Sequence, residues 1–380
     1  MGTVMAIRIF SFFDSGNIEV VRADRADDIQ LRIRPDVGGE HMQWFHFQVC
    51  DAAGQDCAFI LGNAGEVSYP EGFQGYQAVC SVDQEHWFRV PTEFDGERLI
   101  IRHAPPSDAV YYAYFAPFSL ARHQALIADA LTSPHVRAET LCATPDGHAH
   151  TLLKIGETQP GRKRIWITAR QHPGETMAEW WVEGFLGRLL DPDEPVSQRL
   201  LDESVIYLVP NMCIDGAVRG HLRCNARGRN LNREWIAPSA EDSPEVYYVV
   251  EKMKQTGVDF AFDVHGDEAL PYNFIAGAEG ISRWSDARQA QLDEFKSLLA
   301  AISPDFQTEQ GYEVDAPGSA DLKKCTDFVA ETFGCLAMTL EMPFKDSAIT
   351  PRPEIGWSAG RCRALGRACV DAFWKTLPKL

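Results

Sequence analysis

The stretch Arg164-Ile165-Trp166-Ile167-Thr168-Ala169-Arg170-Gln171-His172-Pro173-Gly174-Glu175 joins an apolar run to a loop holding a histidine and a glutamate three residues apart. Short apolar runs of this kind read as strands covered on both faces. Three more follow, at Val205 to Val209, Asp259 to Val264 and Leu336 to Leu340. After the first of them, Met177 to Leu190 places apolar residues at helical spacing. Strands alternating with helices predict an α/β fold, here a mixed, mostly parallel sheet with helices on both faces.

Upstream the pattern is different. Ile18 to Val21, Gln30 to Ile33, Gln43 to Val49, His86 to Val90 and Leu99 to Ile101 are short runs separated by Gly, Pro and Asp clusters. Regular short strands between turns predict an all-β antiparallel sandwich. The change comes at Phe115-Ala116-Pro117-Phe118, after which Ser119 is placed to cap a helix running to Leu131. We therefore expect a β-sandwich domain over residues 1–117 and an α/β domain over 118–380.

Composition bounds the function. With 45% hydrophobic and 24% charged residues, the chain of 380 residues has ordinary globular values. A net charge of −18 repels nucleic acid and anionic membranes, so neither is expected as a partner. The longest uncharged stretch, Ala109 to Ala121, contains Pro117 and falls short of the roughly 18 apolar residues of a membrane span. Met1 to Phe13 carries Arg8 and is followed by no small-residue cleavage site, which argues against a secretory leader. The 10 cysteines are scattered without a CxxC pair and read as reduced, mostly buried thiols, with the cytoplasm as the default location.

Residues able to do chemistry fall just after three of the four strands, where open α/β sheets place their ligand crevices. His172 and Glu175 form an HxxE pair after the first, and His265 follows the third. Two imidazoles and a carboxylate suit one Zn2+ ion and leave a coordination position open for water. By spacing alone they read equally well as unrelated polar loop residues. Glu341 emerges from the fourth strand, where a carboxylate would serve as general base toward a metal-activated water. Arginines 219, 223, 227, 229 and 233 make a local cationic patch in an acidic chain, either a solvated loop or a site for a substrate carboxylate.

Taken together, His172-Pro173-Gly174-Glu175, Asn232-Arg233, His265 and Thr339-Leu340-Glu341 resemble the zinc metallocarboxypeptidases, and within them the cytosolic carboxypeptidase subfamily with its bacterial members. Phe13-Asp14-Ser15-Gly16-Asn17 and Trp44-Phe45-His46-Phe47 are similar to that subfamily's extra β-sandwich, so the likeness spans nearly the whole chain. The resemblance implies one zinc held by His172, Glu175 and His265, with Glu341 as general base and acid. It implies Arg223 as the arginine that polarises the scissile carbonyl, and Asn232 with Arg233 as the pair that binds the substrate's terminal carboxylate. Tyr312 stands near the place of the family's mobile-loop tyrosine, and arginines 219, 227 and 229 stay solvated. Cys213-Ile214-Asp215-Gly216 departs from the family's Asn-Pro-Asp-Gly while keeping an Asp-Gly turn.

The expected activity is hydrolysis of the C-terminal peptide bond of peptides or proteins. A zinc-dependent deacylase of N-acyl amino acids and a non-catalytic peptide-binding protein are the alternatives. Side-chain preference depends on the register of Ala316 to Lys324: Ala320 in the pocket means a neutral preference, Asp321 a basic one, and Lys323 or Lys324 an acidic one.

Overall fold

A computed structural model describes residues 7–380. The six residues before them, part of the stretch read above against a leader, lie outside the described residues. The N-terminal strands are β1 (Arg8–Phe10), β2 (Glu19–Arg22), β3 (Ile29–Arg32), β4 (His46–Cys50), β5 (Cys57–Leu61), β6 (Val79–Ser81), β7 (Phe88–Arg89), β8 (Thr92–Phe94), β9 (Leu99–His103) and β10 (Ala109–Ala113). They form two five-stranded sheets, β1-β4-β10-β6-β7 and β2-β3-β5-β9-β8. Every pair is antiparallel except β3 with β5, a departure from the purely antiparallel expectation. The reason is topological: the chain between them passes through β4 in the other sheet, so β5 returns in the direction of β3.

Helix α1 (Leu120–Ala130) follows, and its Ser119 cap accepts the Arg122 N–H as the sequence suggests. The large sheet comprises β11 (Val136–Ala143), β12 (Ala149–Ile155), β13 (Lys163–Ala169), β14 (Ser204–Val209), β15 (Phe260–Val264), β16 (Phe274–Ala276) and β17 (Leu336–Glu341). Its order is β11-β12-β14-β13-β15-β17-β16. The four central strands are parallel and the flanking ones antiparallel. Alternation within the strands supplies two cores. Ile165, Ile167, Phe260, Phe262 and Met338 face α2 (Met177–Leu189), α3 (Pro195–Glu203), α6 (Asp286–Ile302) and α8 (Ala359–Thr376). Trp166, Tyr207, Ala261 and Ala337 face α5 (Pro244–Thr256) and α7 (Cys325–Phe333).

The order of these strands positions the site. From β13 the chain runs to β14 on one side, then crosses through α4 (Ile214–Arg219) and α5 to β15 on the other. The loops after β13, β14 and β15 therefore diverge around the carboxyl end of β13, the switch point where such sheets bind ligands. Register brings the strand ends level: Ala169 pairs with Val264, and Val264 with Leu340. Cys213 to Gly216 departs from the expected turn, because Ile214 to Gly216 begin α4. There Asp215 is fully buried and accepts from Thr144 Oγ1 at 2.6 Å and the Asp146 N–H at 2.8 Å.

One core runs from the sandwich into the α/β sheet. Tyr114 stacks on Phe344 with centroids 4.4 Å apart. Buried Arg89 donates to the carbonyls of Phe344 at 2.7 Å and Trp357 at 3.0 Å. No helix among the described residues is long and apolar enough to cross a membrane.

Candidate metal centre and its cavity

The turn after β13 brings His172 and Glu175 to one side, and His265 follows β15 directly. Their ligand atoms lie within 4.8 Å of one another, and all three residues are buried. His172 Nδ1 stands 2.6 Å from Glu175 Oε1, and His265 Nδ1 2.8 Å from Oε2. The outer ring nitrogens are held as well: His172 Nε2 lies 3.1 Å from Asn230 Oδ1, and His265 Nε2 lies 2.8 Å from Asp263 Oδ2. Such outer partners orient metal-binding imidazoles, leaving the two Nδ1 atoms and the carboxylate as the converging donors. Two nitrogens and a carboxylate drawn together in a dry pocket are a donor set that fits zinc.

Burial and charge tune these groups in opposite directions. Burial, helped by the Arg223 charge, pushes His172 down to about 4. Burial works against protonation of His265 too, but Asp263 and Glu175 prevail and hold it well above the usual imidazole range. Burial opposes ionisation of Glu175, yet the two histidines keep it well below the ordinary carboxylate range. Glu341, the last residue of β17, is pushed far up by burial and by the neighbouring Glu175, Asp267 and Glu268.

These groups open on a cavity of about 520 Å³, which the sequence-predicted residues Glu341, Arg223, Asn232, Arg233 and Tyr312 also line. Asn232 Oδ1 accepts the Cys325 N–H at 2.8 Å, which fixes the orientation of its amide with the NH2 as the remaining donor. Arg233 lies exposed at the rim and donates to the Asn232 carbonyl at 2.6 Å. Tyr312 is 50% exposed, and its hydroxyl donates to Asp267 Oδ2 at 2.6 Å. Arg219 and Arg229 are instead paired with Asp146 and Asp242 at 2.6 Å each, and Arg227 is exposed. Of the segment expected to set side-chain preference, Lys324 lines the cavity, while Ala320, Asp321 and Lys323 do not.

Several lining residues escaped the sequence reading. Asp267 and Glu268 follow His265 too closely to have stood out from a loop. Asp263, which holds His265 and does not itself line the cavity, carried a usable signal, since residues two apart at a strand end share a face. Tyr69 and Glu71 belong to the sandwich, and nothing local to them points to the cavity.

Comparison with known proteins agrees with this geometry. The cytosolic carboxypeptidase N-terminal domain matches residues 9–115, and the zinc carboxypeptidase family matches residues 127–358. The solved metallo-carboxypeptidase of Burkholderia cenocepacia is 43% identical, with a TM-score of 0.96 over 98% of this chain and 100% of its own. That of Pseudomonas aeruginosa, solved with (2-guanidinoethylmercapto)succinic acid, is 43% identical, with a TM-score of 0.95 over 98% of this chain and 99% of its own. Cytosolic carboxypeptidase 3 of Mus musculus is 26% identical over 71% of this chain, which spans 30% of that protein's length. The chain belongs to the zinc carboxypeptidase family, as a zinc-dependent exopeptidase with a cytosolic carboxypeptidase N-terminal domain.

Proposed function

We propose that the enzyme removes residues from the free C-termini of peptide or protein chains, with His172, Glu175 and His265 as zinc ligands and Glu341 as general base and acid. The observation that carries this reading is Glu341, 7% exposed, which lines the cavity of the triad while its Oε2 has no hydrogen-bond partner among the described residues. A buried carboxyl group left without a partner is costly, and a catalytic role accounts for its being kept. Lining the same cavity as the triad, Glu341 is placed to take a proton from the attacking water and return it to the leaving amine. Zinc held by the triad supplies Lewis acidity, lowering the pKa of a water and polarising a carbonyl.

The chain's other residues bind and orient. Arg223 faces the charge that develops on the carbonyl oxygen, and Arg233 with the amide NH2 of Asn232 receives the terminal carboxylate. The succinic acid derivative bound by the Pseudomonas relative carries carboxylates, which supports a carboxylate subsite here. Lys324 and Asp327 share one end of the cavity, so it carries both signs of charge. A cytoplasmic setting is part of this proposal, supported by cysteines that are all unpaired among the described residues. The test is one peptide as free acid and as C-terminal amide. Strong preference for the acid is expected, and equal cleavage rules out the exopeptidase mechanism.

A further inference from the structure

The segment that carries Arg223 follows α4 and has no regular structure before the turn at Leu231–Arg233. Its own sequence does not determine where Arg223 sits, and residues of the sandwich do. The Asp36 carboxylate, 2% exposed, accepts three consecutive amides: Leu222 N–H at 2.6 Å, Arg223 N–H at 2.8 Å and Cys224 N–H at 2.9 Å. Charge-assisted bonds of this kind are short and about twice as strong as neutral ones. Beside them, Val37 N–H donates to His221 Nε2 at 3.1 Å, and His221 Nδ1 donates to the Cys224 carbonyl at 2.9 Å. The backbones also touch: a Cβ on Gly228 would lie 2.0 Å from the Gly38 oxygen. On its far side the segment reaches the metal turn, where Gly174 N–H donates to the Leu222 carbonyl at 2.9 Å.

A second hold acts on the guanidinium itself. Arg223 Cζ lies 5.4 Å from the centroid of the Tyr69 ring, within cation–π range. Tyr69 is in turn gripped by buried Gln43, whose side chain accepts its N–H at 2.9 Å and donates to its carbonyl at 3.0 Å. Backbone and head group of one arginine are thus both contacted from the N-terminal sandwich, with Glu268 of the α/β region as a further charged neighbour of the guanidinium.

We propose that the N-terminal sandwich is a working part of the active site, with Asp36 as a positioning residue for Arg223 and the Tyr69 ring as its platform. The proposal rests on the role given to Arg223 above. An arginine that contacts charge developing only in the transition state, when displaced by about 1 Å, lowers kcat and leaves KM nearly unchanged. Asp36→Asn keeps the shape but turns one acceptor into an NH2 that faces an amide N–H.

The experiment is a double-mutant cycle on one free-acid peptide, with zinc content and Tm measured for each protein: Asp36→Asn, Arg223→Met and the two combined. We expect Asp36→Asn to keep its zinc and its KM and to lose about 10- to 100-fold in kcat. In the Arg223→Met background the same substitution should cost less than about threefold more, because the group it positions is gone. Equal losses in both backgrounds, or wild-type kcat in Asp36→Asn, overturn the positioning role while the role of Arg223 stands. Full activity in Arg223→Met alone overturns that role, and this inference with it. Should Asp36→Asn fail to fold, Tyr69→Leu replaces it in the same cycle, with additive losses again overturning the proposal.

Discussion

Glu341 ends β17 with a carboxyl oxygen, Oε2, that has no hydrogen-bond partner among the described residues, and the proposed chemistry turns on that atom. Glu341→Gln keeps the volume and removes the proton carrier, so zinc content and Tm should hold while kcat falls by at least about 10²-fold. Metal analysis alongside steady-state kinetics checks it, and near wild-type kcat would place the base elsewhere. The role proposed for Arg233 is in binding. Because it is exposed at the rim, water screens it, and its contribution falls at the low end of the roughly 1.5–3 kcal/mol of a charged hydrogen bond. Arg233→Ala should raise KM for the free-acid peptide by about tenfold and shrink the acid-to-amide preference. An unchanged preference would move the carboxylate subsite away from Arg233.

At the scale of elements, caps and first turns carry measurable energy. Helix α1 receives two caps: Ser119 Oγ accepts the Arg122 N–H at 3.2 Å, and Asp14 Oδ2, from the sandwich, accepts the Leu120 N–H at 2.7 Å. Ser119→Ala should cost about 1 kcal/mol in denaturant unfolding. The first turn of α5 holds Glu245, fully buried, with a carboxyl that burial pushes up to about 7. Its folded-state pKa lies above the unfolded one, so the folded state binds the extra proton between about pH 4.5 and 7. Stability is therefore lost as pH rises through that window, by on the order of 3 kcal/mol at most. Glu245→Gln should raise Tm at pH 8 and leave it nearly unchanged at pH 4. A Tm difference that does not vary with pH would refute the buried-acid account.

The same scale shows which elements could be read. β13, β14, β15 and β17 are continuous apolar runs, and each was legible to within a residue or so. β11 was not, because Val136 to Ala143 is mostly exposed and mixes Arg137, Glu139 and Thr140 with small apolar residues, an edge strand held by its pairing with β12. β16 is only three residues long and borrows its order from β17. Strands of this kind exist because a neighbour offers hydrogen bonds, which no local pattern records.

For the whole molecule the metal is the largest single lever. The proposed ligands come from the loops after two strands and are drawn together only in the folded chain, so zinc is expected to bind the native state and not the unfolded one. At free zinc a thousandfold above Kd this linkage is worth about 4 kcal/mol. Chelation should lower Tm by several degrees and abolish activity, and added zinc should restore both. An unchanged Tm in the chelated protein would mean that the ion does not bind the native state in preference to the unfolded chain.

What the sequence determined by itself was local: the strand-helix alternation, the HxxE turn, and a histidine and a glutamate at the ends of apolar runs. Those features depend on backbone geometry over a few residues, where periodicity and spacing dictate which side chains share a face. Only the tertiary structure decided that Asn230 and Asp263 steady the imidazoles, that Arg219 and Arg229 are spent on ion pairs, and that Arg233 lies exposed. It alone joined Asp36 to the amide of Arg223, 187 residues away in the chain. The physical reason is that such partners are selected by long-range packing, within the α/β sheet and its loops for most of them and between sandwich and sheet for Asp36, and a backbone amide attracts a distant carboxylate whatever side chain it carries.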